Sequence, residues 1–459
     1  MYMKNNIILF AVATLALNSC GIYKKYEPVA TLPENLYREE IAPADTFSIG
    51  NISWRDLFTD PALQQVITLA LANNRDLRIA ALNIEKARAQ YQIERAASFP
   101  AVNATASGNS ALNEGTITRK YSAGVGVTAY ELDFFGRVAN LKEAALRDYL
   151  ATESTQRSVR TSLIAQVADA WLTLAANRDL LALAQETLAS RTTTLELTRK
   201  QQALGGTSGL TVAQAQATTE AARGDMANYR RLIEQSRNAL NLLAGTSVPD
   251  ENLPRAQESL GGGALALLEV PAGMSSEVLL RRPDIVSAEQ LLRGAYADIG
   301  AARAAFFPTI TLTGSLGTAS TSLGNLFDAG TRAWTFVPAL TLPIFNAGKL
   351  SASLSVAEVT RDIQVATYEK TVQTAFREVA DVLAERRTLS ERMDAQKAEV
   401  DAYAASLRLS TERYRSGASS YLTVLDSQRS LYTAQKSLIA LQLDEQSNRI
   451  TLFKVLGGG

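Results

Sequence analysis

Thr309-Ile310-Thr311-Leu312-Thr313-Gly314-Ser315-Leu316 alternates polar and apolar residues for eight positions, the period of a strand with one wet face and one dry face. The alternation resumes at Trp334, Phe336, Leu340 and Leu342, across a loop placed at 318–330. Earlier in the chain Val102, Ala104 and Ala106 alternate, then Val125, Val127 and Ala129, around a loop near 113–119. The reading is two hairpins, at about 100–136 and about 307–346. Their strands are about ten residues long, enough to cross a bilayer when tilted. Pro338 falls in the last strand, where a missing ladder donor marks an edge or a bulge.

Working outward from the hairpins, the chain proves to be duplicated. Asn74-Arg75-Asp76-Leu77 matches Arg282-Pro283-Asp284-Ile285, and Phe99-Pro100 matches Phe307-Pro308, at an offset of 208. From Gly136-Arg137, which falls on Gly348-Lys349, the offset is 212. It persists through Val167-Ala168-Asp169 on Val379-Ala380-Asp381, Gly205 on Gly417, Leu210-Thr211-Val212 on Leu422-Thr423-Val424, and Gly245 on Gly457. Two copies are too few for a solenoid, so the repeats are equivalent halves, 61–245 and 275–459.

Each half contains a run of 68 residues without proline or glycine, 137–204 and 349–416. As single helices these would extend about 100 Å, a length that implies coiled-coil-like packing. Leu163, Val167, Trp171 and Leu174 carry near-helical apolar spacing, and Trp171 reads as a packing residue. Shorter helices are expected before each hairpin, at about 61–97 and 275–305, and after each long helix, at about 210–243 and 422–456.

Composition narrows the chemistry. Lys+Arg and Asp+Glu balance at 46 each, so no net field favours nucleic acid. There is no histidine and one cysteine, which excludes His- or Cys-based zinc sites and Ser-His-Asp or Cys-His catalysis. No catalytic site, cofactor site or metal site is expected. Ala347-Gly348-Lys349-Leu350-Ser351 lacks the first glycine of a phosphate loop, Pro343 standing in its place, and reads as a strand-to-helix turn. Glu131 and Asp133 admit an acid/base pair, but their place at a strand rim favours a solvated turn. Tyr121, Tyr130, Trp334, Phe306 and Phe307 flank the strands, as an interfacial girdle or as core packing.

The first nineteen residues read as a signal peptide, with Lys4 before an apolar run at 7–17 that is too short to span a bilayer. The run ends in Leu17-Asn18-Ser19-Cys20-Gly21, which resembles the bacterial lipobox. That resemblance implies cleavage before Cys20 and acylation of Cys20; the alternative is a buried cysteine in an uncleaved helix.

Four strands cannot close a barrel, and an open sheet edge in lipid leaves backbone groups unpaired at several kcal/mol each. The smallest outer-membrane barrels have eight strands. Either two chains supply eight or three supply twelve.

Helix, hairpin, long helix and short helix, twice over and behind a lipobox, resemble the TolC/OprM-type outer-membrane factor family of lipoproteins that serve resistance-nodulation-division (RND) efflux. The specific motifs are Leu132-Asp133-Phe134-Phe135-Gly136-Arg137, Leu342-Pro343-Ile344-Phe345-Asn346-Ala347-Gly348-Lys349, and Arg413-Tyr414-Arg415-Ser416-Gly417 leading into Tyr421-Leu422-Thr423-Val424-Leu425-Asp426-Ser427-Gln428-Arg429-Ser430. The resemblance implies a membrane α+β protein. It would form a homotrimer with a twelve-stranded barrel in the outer membrane and a helical tunnel through the periplasm. An equatorial region would come from 20–60, the 246–274 linker and the C-terminus. It implies a passive, non-enzymatic multidrug efflux channel whose partners are a periplasmic adaptor (membrane fusion) protein and an inner-membrane RND pump. Leu422 is implied as an apolar ring at the periplasmic aperture, Asp426 as an acidic ring one turn on, and Arg429 as its basic neighbour. Leu422 and Asp426 are i and i+4, on one helix face; the alternative is an exposed Asp426 paired with Arg429 at i+3. The first-half counterpart of Asp426 is Gln214, so an acidic ring would come from one half alone. Other readings are a structural coiled-coil lipoprotein, which needs no membrane strands, and an outer-membrane duct for type I protein secretion. Five methionines and no histidine disfavour a copper or silver exporter.

Overall fold

Asp60 starts the first full helix, its carboxylate accepting the amides of Ala62 and Leu63 at 2.7 and 3.1 Å. Pro61 stands in the first turn, where an amide proton has no helical partner to lose. The computed structural model describes residues 53–256, 260 and 276–458. The expected signal segment, Cys20 and part of the 246–274 linker lie outside the described residues. Elements run in the order α1 (Trp54–Leu57), α2 (Pro61–Asn73), α3 (Arg75–Ala96), β1 (Val102–Asn113), β2 (Thr116–Leu132), α4 (Arg137–Ala203) and α5 (Gly209–Ala244). The second half follows with α6 (Pro283–Ala304), β3 (Thr309–Ser320), β4 (Arg332–Thr341), α7 (Lys349–Arg415) and α8 (Tyr421–Val455). Among the described residues the protein is helix-rich, with four strands in one antiparallel sheet of order β1-β2-β3-β4.

Contacts divide the chain into two units. The first holds Leu82–Ser154 and Val286–Thr371, and with them the sheet. Pairing in the sheet corrects both expected loops. The first is a two-residue turn, Glu114-Gly115, with Asn113 already paired to Thr116. Both turn residues have positive φ, 49° and 82°, as the right-handed twist of a tight hairpin demands. The second begins only after Ser320, because Thr318, Ala319 and Ser320 still pair with Ala123, Ser122 and Tyr121. A bulge between Val127 and Tyr130 shifts the β2–β3 register. Ala129 sits there at φ 50° and donates its amide to Thr313 Oγ1 at 3.0 Å. Above the bulge Gly124 faces Gly317. A β-carbon on Gly317 would lie 2.2 Å from the Ala123 carbonyl oxygen, so the close approach of β2 and β3 requires glycine.

The second unit, comprising the other described residues, holds the main core. Trp54, Phe58, Leu63, Ile67, Ile164, Trp171, Leu172, Leu240 and Phe453 are almost wholly buried there. Each such large side chain contributes roughly 1.5–3 kcal/mol. Phe58 meets Phe453 edge to face at 6.1 Å. Trp171 is a packing residue with one polar duty, donating Nε1–H to the Asn252 carbonyl at 2.9 Å.

The expected single helix over 61–97 is broken at Asn74. Neither proline nor glycine marks the break. Asn74 Oδ1 accepts the Leu77 amide at 2.9 Å, capping α3, while its amide donates to the Leu243 carbonyl at 2.9 Å. In the other half Arg282 donates to the Val455 carbonyl at 3.0 Å. Asn74 and Arg282, like Leu243 and Val455, are counterparts in the repeat, so one joint is built twice with different side chains. Arg282 is 9 % exposed and is held by Asp284 and Glu378 at 2.7 and 2.8 Å. A buried guanidinium needs such pairing.

Candidate functional site

α4 and α7 each span 67 residues, and both end in the second unit at glycines with φ 77°, Gly205 and Gly417. A left-handed residue there closes the last helical turn, and only glycine adopts it without strain. The chain then re-enters α5, where Ser208 Oγ accepts the Thr211 amide at 3.2 Å, and α8, which starts at Tyr421.

The first two turns of α8 are two-faced. Tyr421, Val424 and Leu425 are buried with Leu195 and Ala215, against Val212, Leu407 and Tyr414. The Tyr414 and Tyr421 rings lie 5.3 Å apart, and Tyr414 Oη donates to Gln201 Oε1 at 3.2 Å. On the other face Leu422 is 62 % exposed, although it is a leucine in a helix flanked by core. Asp426 and Arg429 share this exposed side and form an ion pair at i,i+3. The three residues singled out in the sequence thus stand together, turned away from the helices of their own chain. Exposed pairs of this kind add little stability, so packing gives no reason for the stripe.

Sequence reasoning missed what holds α8 just beyond it. Tyr432, 8 % exposed, donates its hydroxyl to Asp225 Oδ2 at 3.0 Å. The Arg191 guanidinium lies 5.5 Å from the Tyr432 ring centroid and the Lys436 ammonium 5.3 Å from it. Arg191 also donates to the Thr218 carbonyl at 2.8 Å. Burial first, then the hydrogen bond to Asp225, pushes the Tyr432 phenol up, and burial lowers the Arg191 pKa. These residues tie α8 to α4 and α5. No motif announces them, since they are distant in sequence and lie in alanine-rich helices.

In the first unit, the register sorts the sheet residues onto two faces. Asn103, Thr105, Ser107 and Asn109 share a face with Lys120, Ser122, Ser315 and Thr335. Ser107 bonds Ser122 at 2.8 Å and Ser315 bonds Thr335 at 2.7 Å across strands. The other face carries Val102, Leu112, Ile117, Val125, Leu316, Trp334, Phe336 and Leu340, which are 51–73 % exposed. Pro338 lies on β4, a sheet edge, opposite Leu312. Of the flanking aromatics, Trp334 is exposed. Phe307 stacks on Phe135 at 4.9 Å, and Tyr130 donates its hydroxyl to the Ser98 carbonyl at 3.1 Å.

Glu131 and Asp133 have structural partners. Glu131 holds Arg137 through two hydrogen bonds, at 2.9 and 2.5 Å. The Asp133 carboxylate accepts the Val138 and Ala139 amides at 3.1 and 2.7 Å, which caps α4. Among the described residues no group of three or more His, Cys, Asp or Glu is arranged to hold a metal, and no helix is long and apolar enough to cross a membrane.

The family model described as "Outer membrane efflux protein" matches residues 66–246 and 274–458. The chain is 45% identical over 470 aligned residues to "Toluene efflux pump outer membrane protein TtgC" of Pseudomonas putida, covering 100% of this chain and 96% of that protein. It is 39% identical to "Cation efflux system protein CusC" of Escherichia coli K12, covering 99% of each. Among solved structures it is similar to the open state of the Neisseria gonorrhoeae MtrE outer membrane channel. There the TM-score is 0.85 at 40% identity, covering 96% of this chain and 98% of that one.

Proposed function

Because this chain belongs to the outer membrane efflux protein family, we propose that three copies of it form the passive outer-membrane duct of a tripartite efflux system. The duct receives cargo from a periplasmic adaptor and an inner-membrane RND pump. The observation that carries this reading is the four-stranded sheet with one apolar face, one polar face and two edges, β1 and β4, that are unpaired among the described residues. In lipid such edges are costly. Pairing β1 of one copy with β4 of the next removes them, turns the apolar face to lipid and the polar face to water, and gives twelve strands from three copies. A periplasmic tether would have no use for an exposed apolar sheet face. Relatives of this design are named for toluene and for cations, so cargo chemistry is set by the pump partner more than by the duct. Cys20, acylated, supplies a second attachment to the outer membrane.

The exposed stripe of α8 is the aperture. Three-fold symmetry makes rings of Leu422 and of Asp426, with Arg429 offsetting the acidic charge. At roughly 10 Å and an effective dielectric of about 20, each carboxylate pair repels by about 1–2 kcal/mol, and less as exposure and salt screen it. Closure therefore depends on Arg429 and on the hold that Tyr432 and Arg191 keep on α8.

Purified protein in planar bilayers tests both levels. The unaltered duct should show small single-channel conductance, and Leu422→Ala with Asp426→Ala should raise it several-fold. Divalent block from the periplasmic side should disappear in Asp426→Ala alone. Unchanged conductance and block in the double variant would remove the aperture assignment and leave the duct. No conductance from either protein would defeat the duct itself.

A further inference from the structure

Among the described residues the polar face of the sheet is almost uncharged, and its one unneutralised position is at the rim. From Asn103 to Asn113 on β1 the face presents Asn, Thr, Ser and Ala. β3 and β4 add Ser315 and Thr335. At the helix-proximal end Glu131 is neutralised by Arg137 at 2.5 Å. At the loop end Lys120 stands on the same face, exposed and opposite the neutral amide of Asn109. It lies one position beyond Tyr121↔Ser320, the last β2–β3 pair, where the wall thins to the β1–β2 ribbon. Arg119, one residue earlier, pairs with Ser110 on the opposite, apolar face. Strand period alone therefore separates two adjacent cations, one toward each side of the wall.

We infer that Lys120 sets the charge preference of the outer mouth, favouring the passage of organic anions over cations. The inference rests on the three-copy barrel of the preceding section, in which the polar face lines the lumen. Three-fold symmetry turns Lys120 into a ring of three ammonium groups in a wall whose other side chains on this face, short of the Glu131–Arg137 pair, are uncharged. Rings of basic side chains select anions in pores. The field reaches across the lumen because the Debye length, about 10 Å at 0.1 M salt, is comparable with the ring's own dimensions. A lysine on a solvated surface would have no such effect, since its charge is screened without enclosing a path. The Asp426 ring, in the other unit, acts in the opposite sense, so the test compares variants that differ only at the rim.

The measurement is the reversal potential of purified protein in planar bilayers under a potassium chloride gradient, with the dilute solution on the loop side. Lys120→Gln should raise the cation-to-anion permeability ratio roughly threefold at about 0.1 M salt and more at about 0.01 M. Lys120→Glu should move it further in the same direction, and Arg119→Gln should leave it unchanged. Conducting channels whose reversal potential is the same in Lys120→Gln and Lys120→Glu as in the unaltered protein would overturn the role of Lys120 while the duct stands. An equal shift from Arg119→Gln would overturn it as well, by reducing the effect to general surface charge. Absence of channels from every protein would instead strike at the three-copy reading.

Discussion

Asp169 and Asp381 occupy the same place in the two halves, within Val-Ala-Asp triplets that are identical in sequence, yet their surroundings are opposite. Asp381 is 73 % exposed and faces Arg377 at 3.9 Å. Asp169 is half-buried, and its enclosed Oδ1 has no hydrogen-bond partner among the described residues. Burial pushes its pKa up, against a hydrogen bond from Ser447 and the charge of Lys454. A carboxyl whose folded pKa lies above its unfolded value keeps its proton longer in the folded state. Its contribution to stability therefore falls as pH rises through the ordinary carboxylate range, and is lost above the folded value. Asp169→Asn should accordingly raise the apparent melting temperature in detergent at pH 8, with the gain fading toward pH 4. Asp381→Asn is the control. A gain that does not depend on pH would mean that the benefit is not electrostatic. The repeat makes both aspartates visible in the sequence, but no local pattern can assign their burial, which is decided by helices more than 50 residues away along the chain. Asp426 is the contrary case, because i,i+3 spacing by itself is enough to pair it with Arg429.

At the scale of elements, legibility follows proline and glycine. α4 and α7 fill the two runs that lack both, and Gly205 and Gly417 end them. The break at Asn74 is invisible in the sequence because an asparagine side chain makes it, through the Leu77 amide and the Leu243 carbonyl. The tight turn reads too wide for a similar reason, since Glu114 is a poor advertisement for positive φ. Leu132-Asp133-Phe134-Phe135-Gly136-Arg137 shows how one motif joins strand to helix. Asp133 caps α4, Phe135 stacks on Phe307, Gly136 takes φ 74°, and Arg137 reaches back to Glu131. The second half has no acid at the corresponding place, where Phe345 is 88 % exposed. Asp133→Ala should cost about 1 kcal/mol at the start of α4. In detergent, amide exchange at Val138 and Ala139 should accelerate about fivefold, while exchange in the middle of α4 stays the same. Equal rates in the variant and the parent would show that water replaces the cap without loss.

At the scale of the whole molecule, alternation marks the strands and their two faces, but the four described strands leave the outer edges of β1 and β4 open. Physics demands a partner for β1 and for β4. It does not choose between a ring of two copies and a ring of three; the family likeness favours three. Pro338 bears on the same seam. It lies on an edge strand, where a residue without an amide proton weakens the ladder least. The helices have the same need, because Val356, Val359 and Ile363 lie exposed at helical spacing along α7, an apolar stripe that the described residues leave uncovered. Native mass spectrometry from detergent should therefore release an assembly of three copies. Each copy should have the mass of the chain from Cys20 onward plus its acyl groups. Three copies of a chain still bearing residues 1–19 would keep the barrel and refute the lipid anchor. Two copies would mean an eight-stranded wall, with no three-fold rings at Asp426 or Lys120. A monomer that retains its β-structure would show that the sheet tolerates open edges, and the three-copy duct would fall with it.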